Sequence, residues 1–172
     1  AMRGMFEAFV ARRPLATGII QWMYNSAWPK LWWQLFDYYL LPNGAFFGAR
    51  KACEPLHILY DQETREVLVT NNAARPAGPV RASIQVIGLD GASRFSKEFP
   101  VNLGSDEKKS LLALDSPAGL KGAYFLDLRL HDEKGDLIAD NFYALSTQSD
   151  VLDDAKALWY VTPIKEFADL TG

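Results

Sequence analysis

The chain has 172 residues, 49% of them apolar, and a formal net charge of −3, material for one ordinary domain or two small ones with a real core. Its lysines and arginines are scattered, and no apolar run approaches the roughly 20 residues that cross a bilayer, so neither nucleic acid nor a membrane is an expected partner. One cysteine, Cys53, allows no internal disulfide and no cysteine-based metal cluster.

Residues 1–13 hold no apolar stretch followed by a small-residue cleavage site, so the compartment stays open, with a secreted or periplasmic parent among the readings. Met5, Phe6, Phe9 and Val10 recur at helical spacing until Pro14, the mark of an amphipathic helix. Residues 17–24 (TGIIQWMY) form a nearly continuous apolar run with β-branched content, which predicts a strand buried on both faces, as in a parallel sheet. Asn, Ser and Pro make residues 25–30 a loop. Residues 31–40 and 44–54 then read as helical segments split by Leu41-Pro42-Asn43-Gly44.

From about residue 56 the apolar period changes to two. Seven strands are expected, over residues 56–60, 66–71, 80–89, 94–101, 108–114, 123–131 and 137–145, separated by stretches rich in Gly, Pro, Asp and Ser. Tyr124, Leu126, Leu128 and Leu130 alternate with Phe125, Asp127, Arg129 and His131, giving one apolar face and one mostly wet face. Seven short strands at this spacing predict an immunoglobulin-like antiparallel β-sandwich over residues 56–148. Residues 149–172 are an acidic linker (Asp150, Asp153, Asp154) followed by Trp159-Tyr160-Val161-Thr162-Pro163, leading toward a further domain.

A strand buried on both faces needs a hydrogen-bonded neighbour on each edge, and the chain offers no second strand of that kind. Residues 1–55 therefore read as one αβα unit of a repeating βα fold, with the run around Ile20 lacking its companions. The competing reading places residues 17–24 as an extra strand of the sandwich. The fold class expected is mainly β: an immunoglobulin-like sandwich preceded by a terminal αβα piece. Such a piece exposes apolar surface, so self-association through residues 17–24 is expected.

The stretch Gly18-Ile19-Ile20-Gln21-Trp22-Met23-Tyr24-Asn25-Ser26-Ala27-Trp28-Pro29, continuing through Trp33-Gln34-Leu35-Phe36-Asp37-Tyr38-Tyr39 to Glu54-Pro55-Leu56-His57, resembles glycoside hydrolase family 2, nearest to exo-β-D-glucosaminidases and then β-mannosidases. The resemblance implies that residues 1–55 are the last strand, loop and helix of a (β/α)8 catalytic barrel. It implies retaining hydrolysis of terminal β-linked sugars by two glutamates about 5 Å apart, both outside this chain, with no cofactor. Partners implied are a carbohydrate and the remainder of the barrel. Trp28 and Asn25 match the Trp and Asn of the family's Asn-x-x-Trp motif, so they are the expected substrate-binding residues: Trp28 as an aromatic wall for the pyranose C–H face, Asn25 bonding a nearby loop or a sugar hydroxyl. β-Mannosidases usually carry Asp where Ser26 stands, which favours a β-glucosaminide.

No catalytic or metal-ligating residue is assigned. Glu7 and Glu54 read as solvated or helix-end charges, His57 and His131 as ordinary sandwich histidines, and Asp132, Glu133 and Asp136 as turn carboxylates. Trp22, Trp32 and Trp33 read as packing residues and Cys53 as a small buried hydrophobe. Two rival functions remain open: a stand-alone carbohydrate- or protein-binding module, and a spacer that positions neighbouring domains.

Overall fold

The computed structural model describes residues 2–30, 34–114 and 120–170, and it divides into two compact units: Ala1–Pro79 with Val101–Ala113, and Val80–Pro100 with Leu114–Gly172.

In the first unit, α1 (Met2–Ala11) and α2 (Gly44–Ala52) pack together because each carries an apolar stripe. Phe6 of α1 is buried with Ala49 and Ala52 of α2, and Met2, Ile19 and Leu35 close around them. The helices approach so closely that a Cβ on Gly48 would lie 3.1 Å from the backbone nitrogen of Arg3. Asn43 starts α2 by accepting hydrogen bonds on Oδ1 from the amides of Ala45 (2.9 Å) and Phe46 (3.4 Å). Arg50 and Lys51 in its last turn suit the negative end of the helix dipole.

The helices precede a three-stranded antiparallel sheet of order β1-β2-β5, made of β1 (Leu56–Asp61), β2 (Glu66–Asn71) and β5 (Glu107–Ala113). Ala11 packs on Leu59 and Leu68, which face each other across β1 and β2. Each buried side chain of this size contributes about 1.5–3 kcal/mol. Polar ties fix the end of α1 to the same sheet. Lys108 donates to the carbonyl of Ala11, Arg12 meets Asp61 at 3.3 Å, and Arg13 pairs with Asn72 and Asp106. The buried amide of Asn71 donates to the carbonyls of Arg75 and Gly104, both at 2.7 Å, and so closes the turn after β2.

The second sheet has the order β4-β3-β6-β7, from β3 (Ala77–Gly88), β4 (Ser93–Leu103), β6 (Ala123–His131) and β7 (Leu137–Ser146). β6 runs antiparallel to β3 and β7, with Ile84 opposite Leu128 and Leu126 opposite Tyr143. One face is apolar, with Ala82, Ile84, Val86, Leu126, Leu128 and Leu130 fully buried. The other face is less wet than the alternation suggests, because Phe125 stacks on Phe142 at 5.3 Å and Arg129 covers Asp127 with a 2.7 Å ion pair. A ribbon of β8 (Val151–Leu152) and β9 (Ile164–Glu166) follows.

All seven expected strands are present with their ends within three residues, and the fold is mainly β and antiparallel. Two local expectations are corrected. Residues 17–24 join no sheet ladder among the described residues, so they are not an extra strand of the sandwich and form no strand within this chain. Ile20 is 90% exposed, and Met23 turns the chain through a left-handed φ of 66°. The physical reason is the one anticipated: a strand without neighbours has no ladder to enter. Residues 34–40 are not helical either. Asp37 instead accepts the amide of Leu41 on its carboxylate (2.9 Å) and that of Leu40 on its carbonyl (3.2 Å), while Leu40 takes a φ of 62°.

Candidate functional site

The segment carrying Asn25 and Trp28 is held from behind by three connections. The carbonyl of Tyr24 accepts the amides of Leu35 (3.1 Å) and Phe36 (3.2 Å), forming an isolated parallel bridge between Asn25 and Phe36. Phe36 in turn bridges Pro42, and the side-chain amide of Asn43 donates to the carbonyl of Gln34 at 2.7 Å. The rings continue the support: Tyr24 lies 4.7 Å from Phe36, which lies 5.0 Å from Phe46 on α2. A loop that would otherwise be free is thus fastened to the first turn of a helix.

Trp28 projects from this support in a bend, 60% exposed. The ammonium of Lys30 sits 4.8 Å from its ring centre, so one part of the indole is already engaged by a cation. Asn25 is exposed three residues earlier, its amide donating to the carbonyl of Ser26 at 3.3 Å, and Ser26 itself is buried. The structure keeps Asn25 and Trp28 on one short segment tied at its base, with both residues exposed.

The other residues considered from sequence fall elsewhere. Trp22 is 73% exposed rather than packed; Trp32 and Trp33 lie outside the described residues. Glu7 is not solvated. It is only 3% exposed and lies 3.0 Å from Nε2 of the buried His57, whose Nδ1 faces Glu54 at 3.4 Å; Arg3 and Lys51 flank the two carboxylates at 3.9 and 3.3 Å. His57 is therefore the buried centre of a polar joint between α1, the end of α2 and β1. Sequence spacing missed it because an acid on the inner face of a helix looks like any other amphipathic-helix acid. The one available signal is that Arg3, Glu7 and Ala11 recur four apart beside Phe6.

Cys53 is exposed, contrary to expectation, on the wall of a cleft of about 410 Å³ lined by Phe6, Phe9, Val10 and Ile19. Desolvation by these neighbours raises its thiol above the ordinary value, which makes it a poor nucleophile. Asp132 accepts the amides of Lys134 and Asp136, both at 2.9 Å, as a turn carboxylate does. Among the described residues no group of three His, Cys, Asp or Glu side chains could hold a metal ion, and no helix is long and apolar enough to cross a membrane.

No family model matches the chain. It is similar to the exo-β-D-glucosaminidase of Streptomyces avermitilis, with 40% identity over 99% of this chain and 20% of the relative. In three dimensions it is similar to the exo-chitosanase of Amycolatopsis orientalis, with TM-score 0.90, 36% identity, and coverage of 98% of this chain and 21% of that one; a single-residue variant of that enzyme is known in complex with PNP-β-D-glucosamine. The β-D-mannosidase of Dictyoglomus thermophilum shares the fold at TM-score 0.67 and 20% identity, over 85% of this chain and 18% of that one. The chain spans about a fifth of the length of the curated exo-β-D-glucosaminidase it matches. Likeness to the exo-β-D-glucosaminidases runs along nearly all the residues of this chain, in sequence and in backbone, and bears out its resemblance to glycoside hydrolase family 2.

Proposed function

We propose that the chain works as part of a retaining exo-β-glycosidase that removes terminal β-linked glucosamine, in which residues 1–55 complete a (β/α)8 barrel, residues 56–148 form an accessory sandwich and residues 149–172 lead toward a further domain. The observation that carries this reading is the presentation of Trp28. An exposed indole on a segment whose base is tied at Tyr24 and Asn25 suits the apolar C–H face of a terminal pyranose, and Asn25, three residues earlier, offers a hydrogen bond to a hydroxyl. The two glutamates of the reaction belong to the rest of the barrel, since Glu7 and Glu54 are both committed to His57. The exposed side chains of Ile20, Trp22, Leu41 and Phe47 are the surface that the rest of the barrel covers.

Hydrolysis of p-nitrophenyl β-D-glucosaminide and β-mannoside tests the proposal. The isolated chain is expected to turn over neither, and an enzyme that contains it is expected to cleave the glucosaminide and to lose about 10- to 100-fold in kcat/KM with Trp28→Ala. Turnover by the isolated chain would place the carboxylates within these residues. An unchanged kcat/KM in Trp28→Ala would remove Trp28 from the sugar site.

A further inference from the structure

The acidic stretch after β7 folds into a closed excursion. The amide of Ala168 donates to the Asp150 carboxylate at 2.6 Å, Val151 and Leu152 pair with Glu166 and Ile164, and the amide of Asp153 donates to the carbonyl of Pro163 at 2.8 Å. At its far end Leu158 and Val161 exchange backbone hydrogen bonds of 2.7 and 3.3 Å, closing a two-residue turn whose tip is Trp159 and Tyr160. Trp159 is 95% exposed, and Tyr160 meets it edge-on at 5.0 Å. The turn is held by its backbone, so the two rings contribute nothing visible to its closure. They are presented outward.

The excursion as a whole is net acidic. Asp154, exposed, starts the short 3-10 turn (Asp154–Lys156) just before it, and Asp150, Asp153, Glu166 and Asp169 outnumber Lys156 and Lys165, with Lys156 already paired to Asp153 at 3.0 Å. A ligand that fits must offer an apolar face to an indole and a positive charge to a carboxylate. Oligomers of β-linked glucosamine with free amino groups do both: the ring C–H face stacks on Trp159, and the ammonium is attracted to the indole face and to Asp154. We propose that the Trp159–Tyr160 turn is an accessory binding site for cationic amino-sugar chains, separate from the Trp28 segment. This rests on the glucosaminide reading above and extends it from the terminal sugar to the polymer that bears it.

The test titrates the 172-residue chain with fully deacetylated glucosamine hexamer at about pH 5.5, following tryptophan fluorescence and calorimetry, with N-acetylglucosamine hexamer and mannohexaose as controls. Binding of the deacetylated hexamer is expected to weaken about tenfold in Trp159→Ala and to fall with added salt, to be reduced in Asp154→Asn, and to be retained in Trp159→Phe. Because the indole is almost fully exposed, circular dichroism and melting of Trp159→Ala should match the parent chain. Three results overturn the proposal: no binding at millimolar hexamer, equal binding of the neutral oligomers, or titration of Trp159→Ala like the unaltered chain. Binding lost in Trp28→Ala but not in Trp159→Ala would sink this site while supporting the function proposed above. The p-nitrophenyl assay judges that function independently.

Discussion

His57 in β1 and Glu7 in α1 meet at 3.0 Å with both side chains buried, joining the first helix to the first strand across fifty residues of sequence. A carboxylate out of water needs its partners, and here His57 and Arg3 supply them. Removing either side of such a contact leaves the other uncompensated, which costs more than the contact itself contributes. Glu7→Ala is expected to lower the unfolding free energy of the chain by about 2–3 kcal/mol in urea titrations, and Glu7→Gln, which keeps an acceptor oxygen, by less. Equal midpoints for all three proteins would show that the joint carries no stability.

Asn43 does two things at once: its Oδ1 caps α2 and its Nδ2 holds the carbonyl of Gln34. Asn43→Ala should cost about 1–2 kcal/mol by loss of the cap alone. Asn43→Asp should keep the cap while losing the Gln34 bond. Hydrogen exchange separates the two roles. In the Asp variant, protection should persist at Phe47, whose amide bonds the Asn43 carbonyl, and fall at Leu35 and Phe36; unchanged protection there would leave the Trp28 segment independent of Asn43.

Asp90 in the β3–β4 turn is held below the usual carboxylate range, first by the amide of Ala92 at 3.0 Å and then by Arg94. Glu107 is lowered in the same direction, first by the amide of Gly104 and then by Lys109. A carboxyl whose pKa is depressed on folding adds stability that is full above its unfolded pKa and is lost as pH falls through the folded one. Both groups lie at the surface, where solvent screens them, so the effect is confined to local order. NMR titration of the side-chain carboxyl carbons should give midpoints below those of free Asp and Glu, and in Asp90→Asn the protection of the Ala92 amide, relative to its intrinsic exchange rate, should no longer change through the carboxyl's titration range. Midpoints at the ordinary values would contradict the assignment.

Ile20, Trp22, Tyr24, Leu41 and Phe47 leave apolar area open on one stretch of chain. Light scattering of the isolated chain should show mass rising with concentration, and Ile20→Asp with Trp22→Ser should return it toward monomer. A monodisperse monomer at high concentration would argue that this surface is too broken to associate.

The seven strands were legible because alternation and turn residues report a half-buried sheet from local sequence alone, as in Leu126, Leu128 and Leu130 against Arg129. The region 17–40 was harder. The run around Ile20 has the composition of a buried strand, but composition describes the environment a segment is suited to, and pairing partners decide whether it becomes one. The Trp28 segment was found by its resemblance to a family. Nothing in its spacing anticipates the Asn25–Phe36–Pro42 bridges that hold it. The Glu7–His57 contact escaped because its two ends lie on elements of different period, each locally unremarked.

Antiparallel pairing of β2 with β5 has a consequence for the order in which the molecule assembles. β1 and β2 are joined by a tight turn and can zip as soon as both have left the ribosome, whereas β5 emerges only after β3 and β4 have been synthesised. Closing that ladder spends loop entropy before any contact rewards it, so the third rung of the sheet is a late step. Lys108, which anchors the end of α1 through the Ala11 carbonyl, arrives with it. A nascent chain stalled ahead of residue 107 therefore holds its first helix without that clasp.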